Sequence, residues 1–157
     1  MQKRKVNIKV LIICLVIVYA VAFLGSLFTS PAINSGWYES IKPSITPPNW
    51  IFPVVWTMLF FLIGLSLYFS WIGSKNKKAK KDVISAFGLN LVLNVLWSVL
   101  YFGLKNPLYA FVEIWFLLVS IIYMVYISYR IDKKAGWLIV PYLIWVCFAM
   151  ILNYLSI

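Results

Sequence analysis

Apolar and polar positions alternate along this chain in blocks rather than in short periods. Five uncharged or nearly uncharged runs cover residues 10–28, 50–73, 83–104, 108–129 and 136–157. Each is 19 to 24 residues long, and about 20 residues of helix cross a hydrocarbon core. The pattern predicts an all-α integral membrane protein: a bundle of five transmembrane helices forming one domain over 1–157. The third and fourth runs are separated only by Lys105, Asn106 and Pro107, which predicts a tight antiparallel hairpin with Pro107 in the first turn of the fourth helix. The basic start followed by an apolar run has the outline of a signal peptide. At 19 residues the run exceeds the roughly 7–15 of such a segment and reads as a retained first span.

The link between the first two spans is different. Residues 37–56 read WYESIKPSITPPNWIFPVVW, with Pro43, Pro47, Pro48 and Pro53 among three tryptophans. Proline fixes φ and removes a backbone donor, so this link is stiff. A stiff aromatic loop between spans reads as a lid or pocket wall.

Charge then sets orientation. Lys3, Arg4, Lys5 and Lys9 precede the first span; Lys75, Lys77, Lys78, Lys80 and Lys81 lie between the second and third. Arg130, Lys133 and Lys134 lie between the fourth and fifth, whereas the opposite side holds only Lys42 and Lys105. The positive-inside rule places the N-terminus in the cytoplasm, and the C-terminus and the Pro/Trp loop outside. The formal net charge of +10 therefore reports topology, not nucleic-acid binding. Composition agrees, with 64% hydrophobic and 11% charged residues against about 25% charged in soluble domains. The lipid bilayer is the expected environment, in a prokaryotic cytoplasmic membrane.

The chain has no histidine and four acidic residues. A zinc site, a His-ligated haem and a Ser-His-Asp triad lose their usual parts. Cys14 and Cys147 lie inside apolar runs and read as buried small hydrophobes, so no disulfide and no metal is expected.

At about 1.5 Å per helical residue, Trp56, Trp97, Glu113 and Ala149 lie about 8–12 Å below the outer ends of their spans. They define one layer in the outer half. Asn90, Asn94, Trp97 and Tyr101 share a face of the third span, and Tyr109, Glu113, Phe116 and Ser120 repeat that spacing on the fourth. Trp145, Ala149 and Leu152 follow on the fifth, with Asn153 beside them. Polar groups are costly in lipid, so these faces are expected to point inward, either as helix–helix bonds or as pocket wall. Trp50 and Trp137 read as interfacial belt residues. Trp71 and Trp115 read as facing lipid or neighbouring helices, and Gly25, Ala22, Gly64 and Ser66 as allowing close packing.

The segments WYESIKPSITPPNWIFPVVWTML, LNLVLNVLWSVLYFG and VPYLIWVCFAMILNYL resemble the TspO/MBR family (tryptophan-rich sensory protein, translocator protein, peripheral-type benzodiazepine receptor), in order and over about 24–155. The resemblance implies five spans, often dimeric, with a pocket beneath the first loop. It implies ligands such as protoporphyrin IX and drug-like benzodiazepine-type molecules, and cholesterol in animals. Motif by motif, it assigns Trp56, Asn94, Trp97, Trp145, Ala149 and Leu152 to the pocket, with Tyr38, Ile51 and Phe52 from the loop side. Tyr109, one turn before Glu113, joins this set from its helical face. The sterol motif of the animal proteins needs a basic residue shortly after the last-span tyrosine. Here Tyr154 is followed by Leu155, Ser156 and Ile157, so sterol binding through that motif is unsupported.

Three functions compete. The first is a membrane sensor or regulator that binds a porphyrin and requires no cofactor. The second is a light-dependent porphyrin-degrading enzyme; no conventional catalytic constellation is present, and Trp56 and Trp145 are the candidate redox-active rings. The third is a porphyrin transporter, for which the sequence shows neither inverted repeats nor broken helices.

Overall fold

The computed structural model describes residues 6–157. Lys3, Arg4 and Lys5 of the predicted basic start lie outside them. Six helices follow in order: α1 (Ile8–Ile33), α2 (Gly36–Ile41), α3 (Ile51–Gly73), α4 (Lys77–Ser98), α5 (Pro107–Ile131) and α6 (Lys133–Tyr154). All but α2 are long and apolar enough to cross a membrane, α4 together with the π-helical turn Val99–Gly103 that extends it. Lipid offers no hydrogen bonds to the backbone, and continuous helices satisfy it internally.

The helix starts are written in the sequence. The side chains of Asn7, Asn76, Asn106 and Asp132 accept from the backbone N–H of Val10, Ala79, Tyr109 and Lys134 at 3.2, 2.8, 3.0 and 2.9 Å. Each satisfies a donor that the first helical turn would otherwise leave unpaired. Pro107 takes the first turn of α5 as predicted.

Besides α4 starting at Lys77 and α6 at Lys133, ahead of the expected 83 and 136, three boundaries differ from the sequence expectation. First, α1 continues past residue 28 through Pro31 to Ile33. Thr29 Oγ1 donates to the Gly25 carbonyl at 3.1 Å, and Asn34 Nδ2 to the Ser30 carbonyl at 3.0 Å, so this polar end bonds to its own helix. Second, the Pro/Trp link is partly helical. α2 occupies its start and α3 begins at Ile51, with Pro53 in the first turn, where its missing N–H costs nothing. Third, α4 widens into the π turn, with Leu104 N–H bonding the Val99 carbonyl at 2.8 Å, before Lys105 turns back at φ 51°.

The spans close into a ring: α1 packs on α3 and α4, α3 on α6, α6 on α5, and α5 on α4. Val18, Ile63, Phe87, Ile121, Met124, Ile139 and Tyr142 fill its centre. Close approach uses small residues. Gly64 faces Leu15 of α1, and Gly136 of α6 faces the backbone of Tyr129 of α5. Polar residues point inward and bind across helices: Ser66 Oγ donates to the Ala135 carbonyl at 2.8 Å, and Asn90 Nδ2 to Ser120 Oγ at 2.9 Å. The outward faces are apolar, with Val16, Met58, Val92, Val119 and Ile144 exposed. Trp50 and Trp137 are exposed near helix ends, and Trp115 faces outward. Trp71 lies under the Lys80 ammonium, 5.0 Å from its ring centroid.

Two packing expectations are corrected. Cys14 is buried, but Cys147 is on the exposed side of α6; both thiols are free. The buried stripe of α5 is led by Ala110, Ile114, Leu117 and Ile121. Glu113 and Ser120 sit at its edge and are buried, while Tyr109 and Phe116 turn outward. The predicted inward face of this span is rotated accordingly.

Candidate functional site

Beneath α2, at the end of the ring where α1 and α6 finish, lies a cavity of about 560 Å³. Three tryptophans from three spans line it. Trp56 of α3 packs against Phe60 and Tyr142, at centroid distances of 5.5 and 6.2 Å. Trp97 of α4 stacks on Tyr101 at 5.0 Å and 19°, and meets Phe102 edge-on at 5.8 Å. Trp145 of α6 lies between Phe52 at 5.9 Å and Phe148 at 5.6 Å. These are favourable aromatic separations, so the bundle's own packing holds the rings in place.

Hydrogen bonds fix the same wall. Trp97 Nε1 donates to Asn153 Oδ1 at 3.1 Å, and Asn153 Nδ2 donates to the Pro107 carbonyl at 2.8 Å, joining α4, α6 and α5. Asn94 Nδ2 donates to the Tyr142 hydroxyl at 3.0 Å, while Asn94 Oδ1 has no partner among the described residues. The α1 and α3 edge carries hydroxyls whose protons are already committed. Ser26 donates to the Phe23 carbonyl at 2.7 Å, Thr57 to the Pro53 carbonyl at 2.7 Å, and Tyr19 to the Thr57 carbonyl at 2.9 Å. These oxygens present lone pairs, so the polar part of the wall is rich in acceptors.

α2 contributes Tyr38 to the cavity wall and is itself packed by aromatics: Trp37 on Tyr101 at 6.0 Å and Tyr38 on Phe102 at 5.8 Å. The link behind it is turned by two backbone bonds, Thr46 N–H to the Pro43 carbonyl and Ile51 N–H to the Pro48 carbonyl. Burial pushes the Tyr38 hydroxyl up to about 12, with Tyr101 and Glu39 adding to the shift. It keeps its proton at neutral pH and, unbonded among the described residues, can donate into the cavity.

Comparison with known proteins gives the arrangement a relationship. The family model described as TspO/MBR family matches residues 13–156. The chain belongs to the TspO/MBR family. It is 41% identical over 149 residues to the tryptophan-rich protein TspO of Archaeoglobus fulgidus, covering 94% of this chain and 95% of the relative. It is 40% identical over 150 residues to the protein of that name in Chlorobaculum tepidum, with 94% of each covered. Over 119 residues it is 30% identical to the tryptophan-rich sensory protein of Cereibacter sphaeroides, covering 75% of this chain and 73% of that one. With five apolar spans and this membership, it is a multi-pass membrane protein.

In this TspO/MBR chain Tyr38, Phe52, Trp56, Asn94, Trp97, Trp145, Ala149 and Leu152 line the cavity together. Ile51 does not, because it lies one residue, about 100° of helix, away from Phe52. Tyr109 does not either: it is 59% exposed on the outer side of α5. Glu113, expected in the same layer, is buried outside the lining, and neither carboxyl oxygen has a hydrogen-bond partner among the described residues. Ile114 and Leu117 supply the α5 wall instead. The α1 contribution, Tyr19, Ala22, Phe23, Ser26, Thr29 and Ser30, was not anticipated. Its signal is present in the sequence: Ser26, Thr29 and Ser30 fall at i, i+3 and i+4, one polar stripe on an otherwise apolar helix.

Proposed function

We propose that this chain is a membrane receptor of the sensory kind that binds a flat, largely apolar tetrapyrrole such as protoporphyrin IX in the cavity beneath α2. The observation that carries the reading is that Trp56, Trp97 and Trp145, from three different helices, line one cavity. Planar conjugated ligands stack on such rings and gain mainly from apolar burial. The cavity volume falls within the roughly 300–1,000 Å³ of small-molecule sites. The name of the Cereibacter relative, a sensory protein, supports the same direction. Binding of this kind requires no cofactor, and drug-like aromatic ligands fit the same wall chemistry.

The basic residues that flank the α3–α4 and α5–α6 turns support an orientation: Lys75, Lys77, Lys78, Lys80 and Lys81 at the first, and Arg130, Lys133 and Lys134 at the second. The α3–α4 and α5–α6 links share the end at which α1 begins, where Asn7 N–H bonds the Tyr68 hydroxyl at 3.0 Å. That end faces the cytoplasm by the positive-inside rule, in a prokaryotic cytoplasmic membrane, and the lid faces outward.

Titrating purified protein with protoporphyrin IX in the dark, followed by tryptophan quenching, tests the reading. Saturable quenching with an unchanged porphyrin spectrum under later illumination is the expected result. Absence of saturable quenching sinks the pocket assignment. Light-driven spectral conversion that disappears in Trp145→Phe shows an enzyme instead of a receptor alone.

A further inference from the structure

Among the described residues no Lys, Arg, Asp or Glu lines the cavity. An anionic group carried by a ligand cannot be buried there without a partner, so a ligand carboxylate has to emerge at the rim. The rim holds an ion pair. Lys42 Nζ lies 3.0 Å from each oxygen of the Glu39 carboxylate. Asn49 ties the two together: its Nδ2 donates to Glu39 Oε1 at 3.2 Å, and its Oδ1 accepts from Lys42 at 3.5 Å. Asn49 itself lines the cavity. The Lys42 ammonium stands 5.8 Å from the centroid of the Tyr38 ring, which also lines it. The cation is thus one side chain from the cavity. Its side chain is 24% exposed, whereas that of Glu39 is 54% exposed.

We propose that the Lys42–Glu39 pair is an exchangeable carboxylate site: a carboxylate on the bound ligand takes the place of Glu39 on Lys42. The site thereby favours flat apolar ligands that carry an acid group over their uncharged analogues. This rests on the cavity being the ligand site. The exchange replaces one carboxylate by another of the same chemistry. An exposed ion pair contributes little to stability, and Glu39 swings into water with little loss. The incoming carboxylate is already held near the ammonium by the buried ring system, so its effective concentration is high. It binds where Tyr38 and Asn49 partly shield the charge, which strengthens a charge-assisted bond. Lys105, the other cation at this end, packs over Trp37 at 5.9 Å and does not line the cavity.

The test compares protoporphyrin IX with its dimethyl ester, which keeps the ring and removes the charges. Full-length wild type, Lys42→Gln, Glu39→Gln and Lys105→Gln are titrated in neutral lipid nanodiscs. Lys42→Gln is expected to weaken the diacid about tenfold and to leave the ester unchanged. Glu39→Gln removes the competing carboxylate and is expected to tighten the diacid while leaving the ester unchanged. Lys105→Gln is expected to change neither. Equal weakening of acid and ester by Lys42→Gln would show that Lys42 only supports the lid, and would overturn the proposal. So would an unaltered diacid affinity in Lys42→Gln, a weakened one in Glu39→Gln, or an equal loss in Lys105→Gln. Failure of both acid and ester to bind wild type would overturn the cavity reading itself, and this one with it.

Discussion

Asn153 is the residue on which the cavity wall and the bundle most directly depend on each other. It is 1% exposed and connects three spans, accepting from Trp97 Nε1 and donating to the Pro107 carbonyl. Asn153→Ala removes both bonds. An interhelical hydrogen bond within a membrane protein contributes about 0.6 kcal/mol on average and up to about 1.7. Two of them set an expected loss of about 1–3 kcal/mol. The void left behind merges with a cavity that already exists, so a large added cavity penalty is not expected. Trp97 keeps its stack on Tyr101 and its edge contact with Phe102, so the ring stays on the wall but loses its rotational anchor. The assay is reversible unfolding in mixed micelles, followed by far-UV circular dichroism, on Asn153→Ala, Trp97→Phe and the double variant. The coupling between the two sites should be about 0.6–1.7 kcal/mol. Additivity within about 0.3–0.5 kcal/mol would show that the bridge carries no energy and refute the reasoning.

Three further outcomes are expected. A Cβ on Gly136 would lie 2.7 Å from Tyr129 Cβ and 2.9 Å from its Cα, whereas one on Gly88 meets nothing within 4 Å. Gly136→Ala should therefore lose about 1–2 kcal/mol, as overpacking exceeds the helix-propensity gain, while Gly88→Ala should gain up to about 1 kcal/mol; equal effects in the same unfolding assay would contradict the close approach. Glu113 has no hydrogen-bond partner for either oxygen among the described residues, so Glu113→Met should raise stability by about 1–3 kcal/mol, and a comparable loss would reveal a partner. Hydrogen bonds from Lys42 and Asn49 hold the Glu39 carboxyl below its ordinary value of 4.5. Its contribution to α2, small for an exposed pair, is thus complete above that value and lost as pH falls through the lower folded one; protection factors of the α2 amides, corrected for intrinsic exchange, should fall slightly on acidification in wild type but not in Glu39→Gln.

The spans are readable from sequence because lipid imposes one requirement, a long, nearly uncharged helix, and the expected 50–73 and 108–129 lie within two residues of α3 and α5 at each end. The misread boundaries occur where that requirement lapses. At 29–33 the chain turns polar, but its hydroxyl and amide groups bond to their own helix and α1 continues. At 36–41 the dense prolines begin only after Ile41, leaving room for a helical turn that composition conceals. The α5 face was misread for a related reason. Glu113 and Ser120 are buried and polar, and they drew the inferred stripe to its own edge, whereas the actual stripe is carried by Ala110, Ile114 and Leu117, which look like any lipid-facing residues. Tyr109 shares their spacing but lies in the first turn of its helix, near the end of the bundle, where an aromatic ring is accommodated outside the bundle as readily as within it.

The inward asparagines are open to two readings, helix–helix bond or cavity wall, and at Asn94 the geometry combines both. Asn94 spends one of its two amide N–H groups on Tyr142 and keeps its oxygen without a partner among the described residues on the cavity wall. Trp97 spends its N–H on Asn153 and keeps a ring on that wall. Ser26 and Thr57 spend their protons on the backbone and keep lone pairs. In each case a packing bond takes up an N–H or O–H and leaves an acceptor or a π-face on the wall, Asn94 keeping one further N–H as well. The wall chemistry is thus the remainder of the bundle's own hydrogen bonding, which explains why it is uncharged, acceptor-rich and aromatic at once. A substitution that alters helix packing at these positions should then alter ligand preference as well as stability. Asn94→Leu is the sharpest case: it removes the Tyr142 bond and the free oxygen together. Adding Tyr142→Phe, which deletes the same bond from the other side, should restore part of the stability without restoring the affinity for ligands that donate a hydrogen bond. Recovery of both, measured by unfolding and by titration on the same samples, would show that Asn94 serves packing alone.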